Sequence, residues 1–220
     1  CVGCGPHQHE RRHPMSWRDR ILSDGSDRDL WKIARHGVIG ASDAKTLAKP
    51  ESVHLYVAQK LKREVFSGNV FTDNGYRWEP MFLGWAGFEH NVALVHAPDE
   101  LGFAATPDGF REAPSGMWLA ECKVKHVDPT KRTKGPTLPE KRQIAWQFRV
   151  FPEAEHLAWI WGDIDKSMGS DDLFDDEPRA IVFHRDDPEL VALTHQIEPI
   201  AREVLIRVRA ALEAEKELDL

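Results

Sequence analysis

The sequence predicts an α/β fold in a single domain, and three observations carry the prediction. Helix-period segments and β-like runs alternate along the chain. Helical stretches fall at 53–66, 74–90 and 141–150, and β-like runs at 91–97, 101–106, 117–124, 157–164 and 179–184. The runs between 91 and 124 follow one another closely and read as an antiparallel meander. At 220 residues the chain has single-domain size and enough length to bury a core.

Composition narrows the class. Charged residues make up 30% and hydrophobic ones 41%, as in soluble globular proteins. No apolar run approaches the ~20 residues that span a bilayer, and no charged-then-apolar signal segment opens the chain. Three cysteines make no disulfide framework, so a reducing cytoplasm is the expected location. The net charge of −7 argues against a general electrostatic coat for DNA but leaves room for a local basic track.

Residues 1–14, CVGCGPHQHERRHP, are polar and unpatterned and precede Met15. They read as a disordered N-terminal extension, with 15–220 as the domain. The alternative is a small Zn²⁺ site from Cys1, Cys4 and His7, His9 and His13. A single CxxC without a second ligand pair at knuckle spacing makes that the weaker reading. Residues 16–34 read as one or two short helices anchored by Trp17, Ile21, Leu30, Trp31 and Ile33.

The segment RHGVIGASDAK at 35–45 follows. Ser42 and Asp43 are N-cap candidates for a helix through Leu47. Free N–H groups there make a phosphate seat, and Arg35 is near enough in sequence to grip the anion. A plain capped helix with a surface arginine fits the same letters. The helix at 53–66 carries Lys60, Lys62 and Arg63 on a basic face. In 74–90, Trp78, Met81, Phe82, Trp85 and Phe88 fall at helical spacing and are expected in the core. Pro80 should kink or start that helix. Glu79, beside it among bulky apolar neighbours, is either exposed or partnered by a metal or lysine.

The most informative stretch is 102–125, GFAATPDGFREAPSGMWLAECKVK. It reads as two strands, the first ending in Thr106-Pro107-Asp108-Gly109 and the second holding Glu121-Cys122-Lys123. Alternation puts Glu121 and Lys123 on one face and Cys122 on the other. The turn can bring Asp108 beside them. Two carboxylates and a lysine at a strand edge suit a divalent metal and a phosphate. The same letters also describe an ordinary turn and an exposed charge pair.

The loop 127–140 carries Lys131, Arg132 and Lys134 and could track a nucleic-acid backbone, or be a solvated surface loop. In the helix at 141–150, Gln143 and Gln147 share one face while Ile144 and Phe148 point to the core. An acidic loop spans 165–178. Asp186-Asp187-Pro188 starts a long amphipathic helix, expected to break near Pro199 and to fray over 213–220.

With these residues in view, the chain resembles the PD-(D/E)XK nuclease superfamily, and within it the phage lambda exonuclease family, also called YqaJ-type viral recombinases. The resemblance spans about 31–164. It rests on motifs in order: Arg35-x-Gly-Val-Ile-Gly-Ala-Ser42-Asp43, Trp78-Glu79-Pro80, Thr106-Pro107-Asp108-Gly109, Glu121-Cys122-Lys123 and Gln143. It implies a restriction-endonuclease-like core, a central mixed sheet flanked by helices.

By that resemblance, Asp108 and Glu121 bind Mg²⁺, for which Mn²⁺ can substitute, and the backbone carbonyl of Cys122 joins them. Glu79 is the further acidic residue. Lys123 positions or activates water. Gln143 holds the reacting end, and Gln147, one turn on, fits that role as well. Arg35 and Ser42 match the 5′-phosphate pocket. The implied activity is digestion of duplex DNA from its ends, 5′ to 3′, to expose single strand for phage-type recombination. The implied partners are a single-strand annealing protein and further copies of the chain, as a ring trimer, in a bacterial or phage-infected cell.

Two other readings stay open. One is an endonuclease or repair nuclease on the same core; the other is a DNA-binding module without turnover. An iron–sulfur cluster of the kind some relatives carry needs four cysteines, and the chain has three.

Overall fold

A computed structural model describes residues 16–62, 70–128, 130–165 and 172–218. The proposed extension at 1–14, with Cys1 and Cys4, lies outside the described residues. In chain order, a 3₁₀ turn at Trp17–Arg20 leads to β1 (Ile21–Ser23), α1 (Arg28–His36), α2 (Ala41–Ala44), α3 (Val53–Leu61) and α4 (Val70–Ala86). Strands β2 (Glu89–His90), β3 (Leu94–Ala97), β4 (Glu100–Ala105), β5 (Gly109–Ala113) and β6 (Gly116–Val127) follow. Then come α5 (Leu138–Val150), β7 (Ala154–Asp165), β8 (Arg179–His184) and α6 (Pro188–Leu218).

The strands form two sheets, β1-β3-β4 and β2-β5-β6-β7-β8. Within the larger sheet only β6 and β7 run parallel, with Glu121 opposite Trp159 and Lys123 opposite Trp161. Parallel neighbours need a crossover, and α5 provides it. Its start is set by Thr137, whose N–H and hydroxyl both donate to Glu140, with Pro139 in the first turn.

The sheet is covered on both faces. Leu119, Trp159 and Leu157 pack with Ile144, Trp146 and Phe148 of α5 and with Ile197, Val204 and Val208 of α6. Ala120, Cys122, Ala158 and Ile160 face the other way, onto Phe82 and Leu83 of α4. The period-two alternation of β6 therefore assigns Leu119 and Glu121 to the α5 side and Cys122 to the α4 side. Each fully buried large side chain contributes about 1.5–3 kcal/mol.

Several expectations change. The hairpin containing the ExK strand is not 101–106 with 117–124. β4 belongs to the smaller sheet with β3, and the partner of β6 is β5, inside the stretch expected to be a connection. Only Gly109 and Phe110 of β5 are buried, so no apolar alternation marks the strand. The residues at 89–90 are a strand, not the end of a helix, because Gly87 takes a positive φ of 71° and stops α4. Pro80 lies within α4 and Pro199 within α6, and neither ends its helix. Packing of α6 along α3 and α5 outweighs the lost hydrogen bond, and the helix continues to Leu218. Leu30 and Ile33 are 61% and 70% exposed rather than anchors, and Trp85 is 45% exposed.

Candidate active site

The site forms where β5 ends and β6 runs on. β5 pairs with β6 no further than Gly109 opposite Ala120, so β6 from Glu121 onward has no strand on that side among the described residues. Asp108 fills the first position past the ladder. Its N–H donates to the Ala120 carbonyl at 3.0 Å, and its Oδ2 accepts from the Cys122 N–H at 2.6 Å. Within one strand residue the N–H and C=O point to the same side, so the Cys122 carbonyl shares this edge with Asp108. The turn before it is held by Asn91, whose side chain donates to the Pro107 carbonyl at 2.8 Å and whose N–H donates to the Asp108 carbonyl at 2.8 Å. Gly109 is required by crowding: a methyl group there would meet Leu83 Cδ2 at 2.7 Å and the Glu89 carbonyl at 3.0 Å.

Glu121, 2% exposed, is the centre. The Gln143 amide donates to its Oε1 at 2.6 Å, the Gln147 amide donates to its Oε2, and the Lys123 ammonium bonds Oε1. Both glutamines therefore reach the same carboxylate from one face of α5. Gln147 is fully buried, and its Oε1 has no hydrogen-bond partner. Glu79, from α4, sits close enough to interact electrostatically with Glu121 and Lys123 and accepts a 2.9 Å hydrogen bond from His90.

The electrostatics are those of crowded carboxylates. Burial, then the charges of Glu121 and Glu79, push the Asp108 carboxyl well above the usual range, against the lowering effect of Lys123. Burial raises Glu79 as well, with His90 opposing. Burial works against the Lys123 ammonium, but Glu121 and Asp108 outweigh it and hold the proton on. The Cys122 thiol is pushed up by burial and by the same carboxylates, so it is inert as a nucleophile.

Among the described residues no three His, Cys, Asp or Glu side chains converge as a ready metal cage. The donor chemistry nevertheless fits a hard divalent cation. Asp108 and Glu79 are carboxylates raised by burial and by the charge of Glu121, the Cys122 carbonyl borders Asp108, and Gln147 Oε1 is an orphaned buried acceptor.

A second cluster lies across the same cleft, a space of about 1320 Å³ lined by Arg35, Ser42, Asp43, Lys60, Glu79, His90 and Asp108. Arg35 Nη2 donates to Ser42 Oγ at 2.6 Å and Nη1 to Asp43 Oδ2 at 2.6 Å. The cap differs from expectation. Gly40 is the N-cap of α2, and Ser42 and Asp43 lie inside a single helical turn. Asp43 folds back to accept the Gly40 N–H at 2.8 Å.

Lys60 is the residue that sequence reading missed. It was visible only as part of a basic helix face, yet its ammonium reaches Asp43 Oδ2 at 2.9 Å and the Arg35 carbonyl at 3.0 Å. Nothing in the linear pattern links position 60 to 35 and 43. His90, the partner of Glu79, was likewise hidden in what looked like a helix end.

Lys131 and Arg132 are not brought to the cleft. Lys131 is exposed, and Arg132 bonds Asp175 at 2.9 Å and lies 4.3 Å over the Phe174 ring, tying its loop to the segment before β8.

No protein-family model matches this chain, and no curated protein matches it. Solved structures do. An alkaline exonuclease from Laribacter hongkongensis (LHK-Exo) is 20% identical over 86% of this chain and 99% of its own, with a TM-score of 0.59. The same enzyme in complex with dAMP gives 0.57. A phage-related exonuclease from Haemophilus somnus 129PT is 12% identical over 88% of this chain and 92% of its own, with a TM-score of 0.53. At such identities the likeness shows the fold. The expected nuclease-type core, a central mixed sheet flanked by helices, is the one found.

Proposed function

We propose that this chain is a divalent-metal-dependent deoxyribonuclease that digests duplex DNA from its ends. The observation that carries the reading is the convergence of Asp108, Glu121, Lys123, Gln143 and Gln147 around β6, with Asp108 and Glu79 lining a cleft that Arg35 and Ser42 also line. The fold shared with exonucleases supports it.

Asp108, Glu121, the Cys122 carbonyl and Glu79 would hold Mg²⁺, with Mn²⁺ as a substitute. When bound, the metal supplies charge stabilisation at the scissile phosphate and a more acidic water. Glu121 anchors the site and is itself fixed by two amides and one ammonium. Lys123, kept charged by its carboxylate neighbours, orients the attacking water and offsets negative charge developing on the phosphate. Gln143 and Gln147 hold the Glu121 carboxylate in one orientation, which in-line attack requires. Arg35 and Ser42 receive the terminal 5′-phosphate, which restricts attack to ends and sets 5′ to 3′ polarity. Exposure of single strand for recombination, a single-strand annealing protein as partner and a ring of identical subunits complete the reading.

The test compares linear with closed circular duplex, each with Mg²⁺ and with chelator. Linear DNA alone should be digested, and only with metal. Digestion of the circle would show an endonuclease instead. Binding without turnover would show a DNA-binding module.

A further inference from the structure

The phosphate seat contains more than the arginine and serine that the sequence suggests. We infer that Lys60 is a second cation of the end-phosphate seat, and that Asp43 is a positioning residue holding Arg35 and Lys60 at the spacing a terminal phosphate needs. The inference rests on the reading of the cleft as a DNA-end site.

One oxygen, Asp43 Oδ2, organises the cluster. It accepts from Gly40 N–H at 2.8 Å, Arg35 Nη1 at 2.6 Å and Lys60 Nζ at 2.9 Å. Lys60 spends a second N–H on the Arg35 carbonyl at 3.0 Å. An ammonium has three donors, so one remains for a ligand. The guanidinium also keeps donors beyond Nη1. Two cations against one carboxylate leave the seat with a surplus positive charge that no other described contact of these residues cancels.

A second observation points the same way. The Arg35 guanidinium lies directly against Gly40, where a methyl group would meet Cζ at 2.6 Å and Nη2 at 2.8 Å. The glycine leaves room for the guanidinium in this pose, and no turn demands it, since its φ of −98° suits any residue. The cluster is built for a planar cation held in one pose. Lys60 is nearly buried, its side chain 10% exposed, which makes its charge costly unless an anion visits. Asp43 alone repays only part of that cost, because it is shared with Arg35. A dianionic terminal phosphate is the anion of matching charge that the proposed substrate carries.

The experiment measures digestion of blunt linear duplexes bearing 5′-phosphate or 5′-hydroxyl ends, in Mg²⁺, for the wild type, Lys60→Met, Lys60→Arg, Asp43→Asn and Gly40→Ala. Lys60→Met should lower kcat/KM on phosphorylated ends by roughly tenfold more than on hydroxyl ends, the loss of one charge-assisted hydrogen bond. Lys60→Arg should restore most of the preference. Asp43→Asn and Gly40→Ala should weaken the preference through KM rather than kcat.

Equal loss on both ends, or an unchanged ratio in Lys60→Met, overturns the inference. A wild type that digests both ends equally overturns it too, yet leaves the nuclease reading intact. If the wild type digests nothing, the nuclease reading fails. Fluorescence anisotropy with the same duplexes in chelator then decides: tighter binding of phosphorylated ends, lost in Lys60→Met, supports the seat, and no difference overturns it.

Discussion

The carboxylate centre and the phosphate seat open into one cleft, but they are anchored differently. The centre hangs from the middle of the larger sheet. Glu121 lies on β6 with β7 beside it and α5 above it, and its position follows from ladder register and core packing. The seat is assembled from three short helices, α1, α2 and α3. No residue of α1 is buried, and the parts meet through charge on a single carboxylate oxygen. A site on a packed sheet stays put when one polar contact is lost. A site stitched by ion pairs moves when one is lost, and it also responds to pH. The difference suits the proposed roles. In-line attack needs rigid geometry, whereas a terminal phosphate must enter and leave at each step.

The largest expected effect breaks the centre alone. Asp108→Ala or Glu121→Ala should cost at least about a hundredfold in digestion of linear duplex with Mg²⁺. Full activity in either variant would remove the metal assignment. Asp108→Asn adds a contrast. Because the folded carboxyl is raised above its unfolded value, the folded state binds more protons, and stability falls as pH rises through the folded pKa. Removing that charge should therefore raise the melting temperature at neutral pH, by about 2–4 °C for each kcal/mol of repulsion relieved. Mg²⁺ should stabilise the wild type against heat and do so less for Asp108→Asn, which calorimetry reads directly.

Next come the glutamines. Gln143→Leu and Gln147→Leu should each lower kcat by roughly 10–100-fold, as loss of groups that orient a metal ligand commonly does. Both bond Glu121, so the double variant should fall short of additive. Full additivity would mean that they act on separate groups.

Arg35→Ala should take about 10–100-fold from phosphorylated ends alone, the worth of hydrogen bonds to a charged group. An equal loss on hydroxyl ends would make Arg35 a folding residue.

The smallest effect is pH. Burial, then the neighbouring Arg35 charge, lowers Lys60 to about 8 despite the pull of Asp43. The ratio of kcat/KM between phosphorylated and hydroxyl ends should decline a few-fold as pH rises past about 8, flattened in Lys60→Met. The group is depressed relative to its unfolded value of 10.5, so the unfolded chain binds the extra proton between the two values, and stability should rise over that window. Asp43 works at the other extreme. Burial opposes its charge, but Arg35 and Lys60 prevail and bring it to about 2. Its contribution should be lost as pH falls from its unfolded value toward 2.

Legibility in the sequence followed the same division. The ExK strand could be read because strand alternation is local: Glu121 and Lys123 share a face whatever surrounds them. The glutamine pair on α5 could be read for the same reason at helical spacing. The hairpin partner was misread, since β5 has a burial pattern of only two inward residues and its pairing is decided by the sheet. The expected break at Pro199 does not occur, because tertiary packing of α6 outweighs the local cost of the proline.

By itself, then, the sequence determined the alternation of helix and strand, the shared face of Glu121 and Lys123, and the turn that delivers Asp108. All of these rest on contacts between near neighbours in the chain. Only the tertiary structure decided that both glutamines meet Glu121, that Glu79 joins through α4, and that Lys60 meets Arg35 and Asp43. Those meetings depend on how β6, α4 and α5, and likewise the three short helices, pack across long sequence separations, which no local period encodes.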